Sequence, residues 1–120
     1  MDMVYLWIVL AGGAGSLCRY LLWRSVTNPE TGFPAGTLTV NILGCFCIGL
    51  LAKTVNDDVL RLTLITGFLG GFTTFSAFSL ETLQLLRNGM VATAVCYVTA
   101  SNIGGIAAAW AGWRMGQITS

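Results

Sequence analysis

The sequence predicts an all-α membrane protein with four transmembrane helices, the third of them broken at mid-membrane. Only 9% of the residues are charged and 55% are hydrophobic, against about 25% charged in a typical soluble domain. Such a chain cannot cover its own surface with polar groups, and a bilayer supplies the missing apolar solvent. A helical crossing needs about 20 mainly apolar residues, so 120 residues suffice for four crossings with short connections. The break is placed by Gly70-Gly71-Phe72-Thr73-Thr74, which interrupts an otherwise apolar stretch. Glycine lowers helix propensity by about 1 kcal/mol relative to alanine, and threonine by about half that.

The first span is expected from Met3 to Val26. Ala11 and Gly15 are four apart, as are Gly12 and Ser16, the small-xxx-small spacing that lets helix backbones approach closely in membranes. Arg19, Trp23 and Arg24 follow, as in a span nearing the interface, where indoles and long cationic side chains settle. Arg24 reads as an anchor, and Arg19 lies a turn deeper. The apolar opening run lacks the basic flank of a secretory signal and is expected to be retained as a span. Thr27 to Pro34, with Asn28-Pro29 and Gly32, reads as a turn and short loop.

The second span is expected from Ala35 to Ala52. Thr37, Asn41, Gly44 and Ile48 share one helical face. A carboxamide at this depth is costly unless paired, so spacing alone favours a hydrogen bond from Asn41 to another helix. Lys53 to Asp58 form the connection, with Asp57 and Asp58 suited to cap the next helix and favoured by its dipole.

The third span is expected from Val59 to Leu86. Irregular backbone within hydrocarbon is tolerated only where it is buried in protein or lines a polar cavity. The break is therefore a candidate ion site, where carbonyls from Gly70 to Thr73 can coordinate a hard cation such as sodium. Phe75 and Phe78, three apart on the resumed helix, are packing or lipid-facing residues by default, yet their ring edges carry the positive part of the quadrupole and can face an anion. Ser76 and Ser79 add hydroxyl donors. Glu81, an acid within a span, is a functional candidate by its position alone. Arg87 and Gly89 suit the end of this helix.

The fourth span is expected from Met90 to Trp113. Tyr97, Ser101 and Gly104 share a face, and Gly104, Ala108 and Gly112 repeat the small-residue spacing. Tyr97 and Ser101 suit interhelical hydrogen bonds. Asn102 lies on a neighbouring face, where packing and a place beside an ion route both remain open.

Composition excludes several functions. A net charge of +1 without a basic cluster leaves no footprint for nucleic acid. There is no histidine, and Asp2, Glu30, Asp57, Asp58 and Glu81 are scattered, so no paired carboxylates or triad support an enzyme. Cys18, Cys45, Cys47 and Cys96 form no CxxC and are expected to be small buried hydrophobes.

Three stretches in order carry a resemblance: Gly12-Gly13-Ala14-Gly15 followed by Arg19-Tyr20, Gly36-Thr37-Leu38-Thr39-Val40-Asn41 followed by Gly44, and Gly67-Phe68-Leu69-Gly70-Gly71-Phe72-Thr73-Thr74-Phe75-Ser76. Together they resemble the Fluc (CrcB-type) fluoride channels. The resemblance implies passive fluoride conduction across the inner (cytoplasmic) membrane, relieving fluoride accumulation. It implies a route along Thr37, Asn41, Phe75, Ser76, Phe78, Tyr97 and Ser101, with Arg19 in a vestibule. It also implies a structural Na+ held by the carbonyls of Gly70 and Thr73 at the centre of an antiparallel homodimer. Ala77 stands where many members carry a second hydroxyl residue.

Charge placement independently permits two orientations. Lys53, Arg61 and Arg114 fall near one membrane face, and Arg19, Arg24 and Arg87 near the other. That balance gives the positive-inside rule almost nothing to act on, so two copies can insert oppositely. Two rivals remain at this stage. A proton-coupled small multidrug exporter needs an acid inside the first span, and Asp2 is the only acid before Glu30. A non-transporting structural subunit would move no ions by itself.

Overall fold

The computed structural model describes residues 2–119, which form helices joined by short connections. Helix α1 covers Asp2–Val26 and α2 covers Ala35–Thr54. The third span comprises α3 (Asp58–Arg61), a π-helical stretch (Leu62–Leu69), α4 (Gly70–Phe72) and α5 (Phe75–Arg87). Helix α6 covers Val91–Thr119. Among the described residues, four helical segments are long and apolar enough to cross a membrane. The longest dimension, 49 Å, matches a bilayer of about 40–45 Å with its headgroups.

Small residues decide the packing. A Cβ added at Gly15 would overlap the carbonyl of Phe68, and one at Gly71 would overlap the carbonyl of Gly12. Helix α1 therefore lies backbone to backbone against the first half of the third span, along the predicted small-residue seam. Helices α2 and α6 form a second such seam, where a Cβ at Gly49 would meet the Ala109 carbonyl and one at Gly112 the Phe46 carbonyl. Two small apolar clusters fill the remaining interior. Val40, Leu69 and Phe72 form one, and Leu85, Ala94 and Tyr97 the other. Most other large apolar side chains, including Val9, Ile106 and Ile118, are exposed, as a bilayer solvent requires.

Several expectations are corrected. Gly70 and Gly71 are helical, Gly70 at φ −60° and ψ −39°, and the interruption is confined to Thr73 and Thr74. Glycine at position 71 answers the approach of α1 rather than loosening the helix. The stretch before the break is π-helical, which nothing in the residue pattern marks. Helix α6 runs on to Thr119 instead of ending at Trp113, because Gly116 packs on the Lys53 stem while Lys53 lies 5.4 Å from the Trp113 ring. Cys18 and Cys96 are exposed and Cys45 and Cys47 half-buried; their helices turn them partly outward, where an apolar solvent tolerates a thiol. Asp57 caps α3 as expected, accepting a hydrogen bond from the Leu60 N–H at 2.7 Å. Gly89 adopts φ +76° in the turn before α6, a conformation that favours glycine.

Candidate functional site

Chain direction changes at two residues. Thr73 (φ −89°, ψ 155°) and Thr74 (φ −148°, ψ 112°) are extended between α4 and α5. Extension frees backbone groups at a depth where hydrocarbon cannot satisfy them, and Asn41 on α2 takes up the strain-free pairing. Its Nδ2 donates to the Thr74 carbonyl at 3.0 Å, and its Oδ1 accepts from the Thr74 N–H at 2.8 Å. A continuous helix would have sent that N–H to the carbonyl of Gly70. Thr74 Oγ1 caps α5 by accepting from the Ala77 N–H at 3.1 Å, and lies 3.2 Å from Ser76 Oγ. The Thr73 hydroxyl donates back to the Leu69 carbonyl at 2.9 Å.

A cavity of about 360 Å³ opens beside the break, lined by Asn41, Gly70, Thr73, Thr74, Phe75, Phe78, Ser101 and Asn102 with apolar residues of α2 and the third span. The two phenylalanine centroids are 5.5 Å apart. Phe78 continues to Tyr97 at 5.1 Å, and Tyr97 meets Phe33 edge-on at 5.7 Å. An aromatic column thus runs from the break towards the α1–α2 loop. Phe75, at its outer end, is 77% exposed. Ser101 Oγ is buried with no hydrogen-bond partner, whereas the Asn102 amide donates to the Val98 carbonyl at 2.8 Å.

A second cavity of about 260 Å³ lies across the start of α5, lined by Ser16, Arg19, Thr37, Thr74, Ala77 and Glu81 among others. Both oxygens of the Glu81 carboxyl group are engaged, one by the Thr37 hydroxyl at 2.6 Å and the other by the Tyr97 hydroxyl at 3.0 Å. Thr37 is 1% exposed and Tyr97 fully buried. A third cavity of about 290 Å³, beside the α1–α2 loop, shares Trp23 and Glu81 with the second.

Comparison with known proteins bears directly on this arrangement. Residues 6–113 match the family described as CrcB-like protein, Camphor Resistance (CrcB). The chain belongs to the CrcB family. Among its relatives, the fluoride-specific ion channel FluC of Helicobacter acinonychis (strain Sheeba) is 41% identical, with 98% of each chain covered. The protein of that name from Helicobacter pylori (strain J99 / ATCC 700824) is 40% identical over 98% of this chain and 95% of its own. One from Methylobacillus flagellatus is 41% identical, with 93% of each covered. These relatives are named as channels, not enzymes, and neither the exporter nor the inert subunit finds support among them. This CrcB chain is a multi-pass membrane protein.

The residues singled out in the sequence divide into two groups. Asn41, Gly70, Thr73, Phe75, Phe78 and Ser101 line the first cavity, while Arg19 and Thr37 line the second. Ser76 is exposed at the start of α5 and touches Thr74. Tyr97 sits in the interior as a donor to Glu81. Ser79 bonds back to the Phe75 carbonyl at 3.0 Å. Phe33 was not foreseen, since a loop phenylalanine carries no periodicity that would place it against Tyr97. For a metal, no group of three or more His, Cys, Asp or Glu side chains exists among the described residues, so a cation in this CrcB chain depends on backbone oxygen. Gly70 and Thr73 fit that requirement in part, since Gly70 has lost its helical N–H partner to Asn41 and both residues line the open cavity.

Proposed function

We propose that this chain is a passive fluoride channel of the inner membrane, built from two copies inserted in opposite directions, that limits cytoplasmic fluoride. The observation that carries this reading is the near-full-length likeness to relatives named fluoride-specific ion channel FluC. Geometry supports it through the break, where donors and ring edges are gathered and no carboxylate lines the first cavity.

Fluoride entering the first cavity exchanges water for fixed donors. Asn41 keeps one amide N–H beyond its bond to Thr74, and Ser101 keeps an unpaired hydroxyl. The edges of Phe75 and Phe78 add a weakly positive rim. A small anion approaches such donors closely, and chloride is disfavoured by width and by weaker hydrogen bonding. Arg19 draws anions towards the second cavity. Glu81 lies beside that path with both carboxyl oxygens engaged by the Thr37 and Tyr97 hydroxyls.

The second copy is supported by the outward placement of the break. Gly70 and Phe75 are exposed on one chain, and unsatisfied backbone facing lipid is not tolerated. A copy covering this face closes the cavity, and the even division of cations between the two ends permits opposite insertion. Gly70 and Thr73 of each copy would hold a Na+ between them. When bound, such an ion offsets part of the anionic field at the centre.

Purified protein in liposomes, loaded with fluoride or chloride, tests the reading. Fluoride efflux with chloride retained is expected. Absence of fluoride efflux from an intact dimer would reject it.

A further inference from the structure

We propose that Thr74 is the partition through which fluoride passes between the two cavities of one chain, with its hydroxyl serving as a donor and its methyl limiting width. The inference rests on the channel reading above and assigns a role to Thr74, which the proposed route does not include.

Thr74 is the one residue common to the linings of the first and second cavities. The spaces it separates differ in chemistry. One holds the phenylalanines, Asn41 and Ser101, and the other holds Arg19, Thr37 and Glu81. Thr74 is the wall these two spaces share, so an anion gathered near Arg19 that passes directly into the first cavity crosses at this residue.

The wall is rigidly held. Thr74 is 8% exposed, and Asn41 grips both its backbone N–H and its carbonyl. The side chain is fixed as well, because Oγ1 caps α5 at the Ala77 N–H and a β-branched residue has few χ1 alternatives. Its methyl therefore stays where the cap sets it. Only a passage that keeps its width can discriminate anions by size.

The same side chain offers a proton at the crossing. Thr74 Oγ1 and Ser76 Oγ are 3.2 Å apart, and either can donate to the other. Two hydroxyls sharing one mutual hydrogen bond leave one O–H unengaged. When Ser76 donates, the Thr74 proton is free to meet an anion, and its loss of water is offset at the crossing.

The test measures fluoride and chloride efflux from liposomes for the wild type, Phe75→Ile, Thr74→Val, Thr74→Ser and Asp57→Ala. Thr74→Val keeps the bulk and removes the hydroxyl, and fluoride efflux is expected to fall about tenfold, the loss of one hydrogen bond in rate terms. Thr74→Ser keeps donor and cap but removes the methyl; fluoride efflux is expected to persist while chloride leak becomes measurable. Asp57→Ala removes a cap at the far end of the same span and is expected to leave efflux unchanged. A Thr74→Val protein that elutes and conducts like the wild type would overturn the inference, as would a Thr74→Ser protein that excludes chloride fully. Equal losses in Thr74→Val and Asp57→Ala would assign the effect to helix capping and also overturn it. An active wild type with inactive Phe75→Ile and unchanged Thr74 variants would leave the channel reading standing and remove Thr74 alone. An inactive wild type would remove both.

Discussion

The two halves of the third span are held in opposite ways. Before the break, the π-helical stretch and α4 meet α1 through Gly67, Gly71, Gly12 and Gly15, backbone against backbone. After it, α5 is held by named polar bonds: Asn41 to Thr74, Thr37 to Glu81 and Tyr97 to Glu81. The first arrangement derives from close packing, which membranes favour because lipid offers no hydrophobic drive between helices. The second fixes individual side chains and leaves Phe75 facing outward. The contrast places close helix packing in the first half and fixed polar side chains in the second, where the proposed channel has its anion donors.

The largest effect is expected where that packing is tightest. Gly71→Val places a side chain on the Gly12 carbonyl and is expected to cost about 3 kcal/mol, read as loss of monodisperse protein in detergent and a lower unfolding temperature. Gly13 has nothing within 4 Å of an added Cβ, so Gly13→Ala is expected to be neutral or stabilising by up to about 1 kcal/mol. Equal behaviour of these two variants would break the comparison on its first side.

On the other side, Asn41→Leu strands the N–H and carbonyl of Thr74, each worth about 1–3 kcal/mol when buried and unpaired. Fluoride efflux is expected to disappear while the protein keeps the wild-type elution volume with reduced stability, as followed by efflux and elution together. Tyr97→Phe removes one of the two donors to Glu81 while keeping the aromatic column. Its expected cost is smaller, about 1 kcal/mol, with partial loss of efflux and assembly intact. Asp57→Ala should show the least, about 1 kcal/mol or less of stability from a lost cap, with no change in efflux.

How much of this could be read in the sequence follows the same division. The packing seam on α1 was legible because small residues recur every four positions at Ala11, Gly12, Gly15 and Ser16, whereas its partner, the first half of the third span, was not. The four spans were legible from hydropathy. Asn41 was legible as an amide that needs a partner, but the partner is backbone at Thr74, and a carbonyl or N–H has no signature in a residue string. Gly70 and Gly71 misled for a related reason: propensity marks them as breakers, whereas position 71 serves the close approach of a helix more than fifty residues earlier. Thr37, Glu81 and Tyr97 each drew notice singly. Their joining depends on how α2, α5 and α6 meet, which only tertiary structure decides. Phe33 and the π-helical stretch left no periodic trace at all.

The most direct measurement of the division of labour is the fluoride efflux of Phe75→Ile beside its elution profile. The Phe75 ring makes none of the side-chain bonds that hold α5. Isoleucine keeps both the backbone carbonyl that Ser79 uses and an apolar side chain on the face the second copy is proposed to cover, so the account predicts a variant that assembles like the wild type and conducts almost no fluoride. Wild-type efflux from that assembled variant would contradict it.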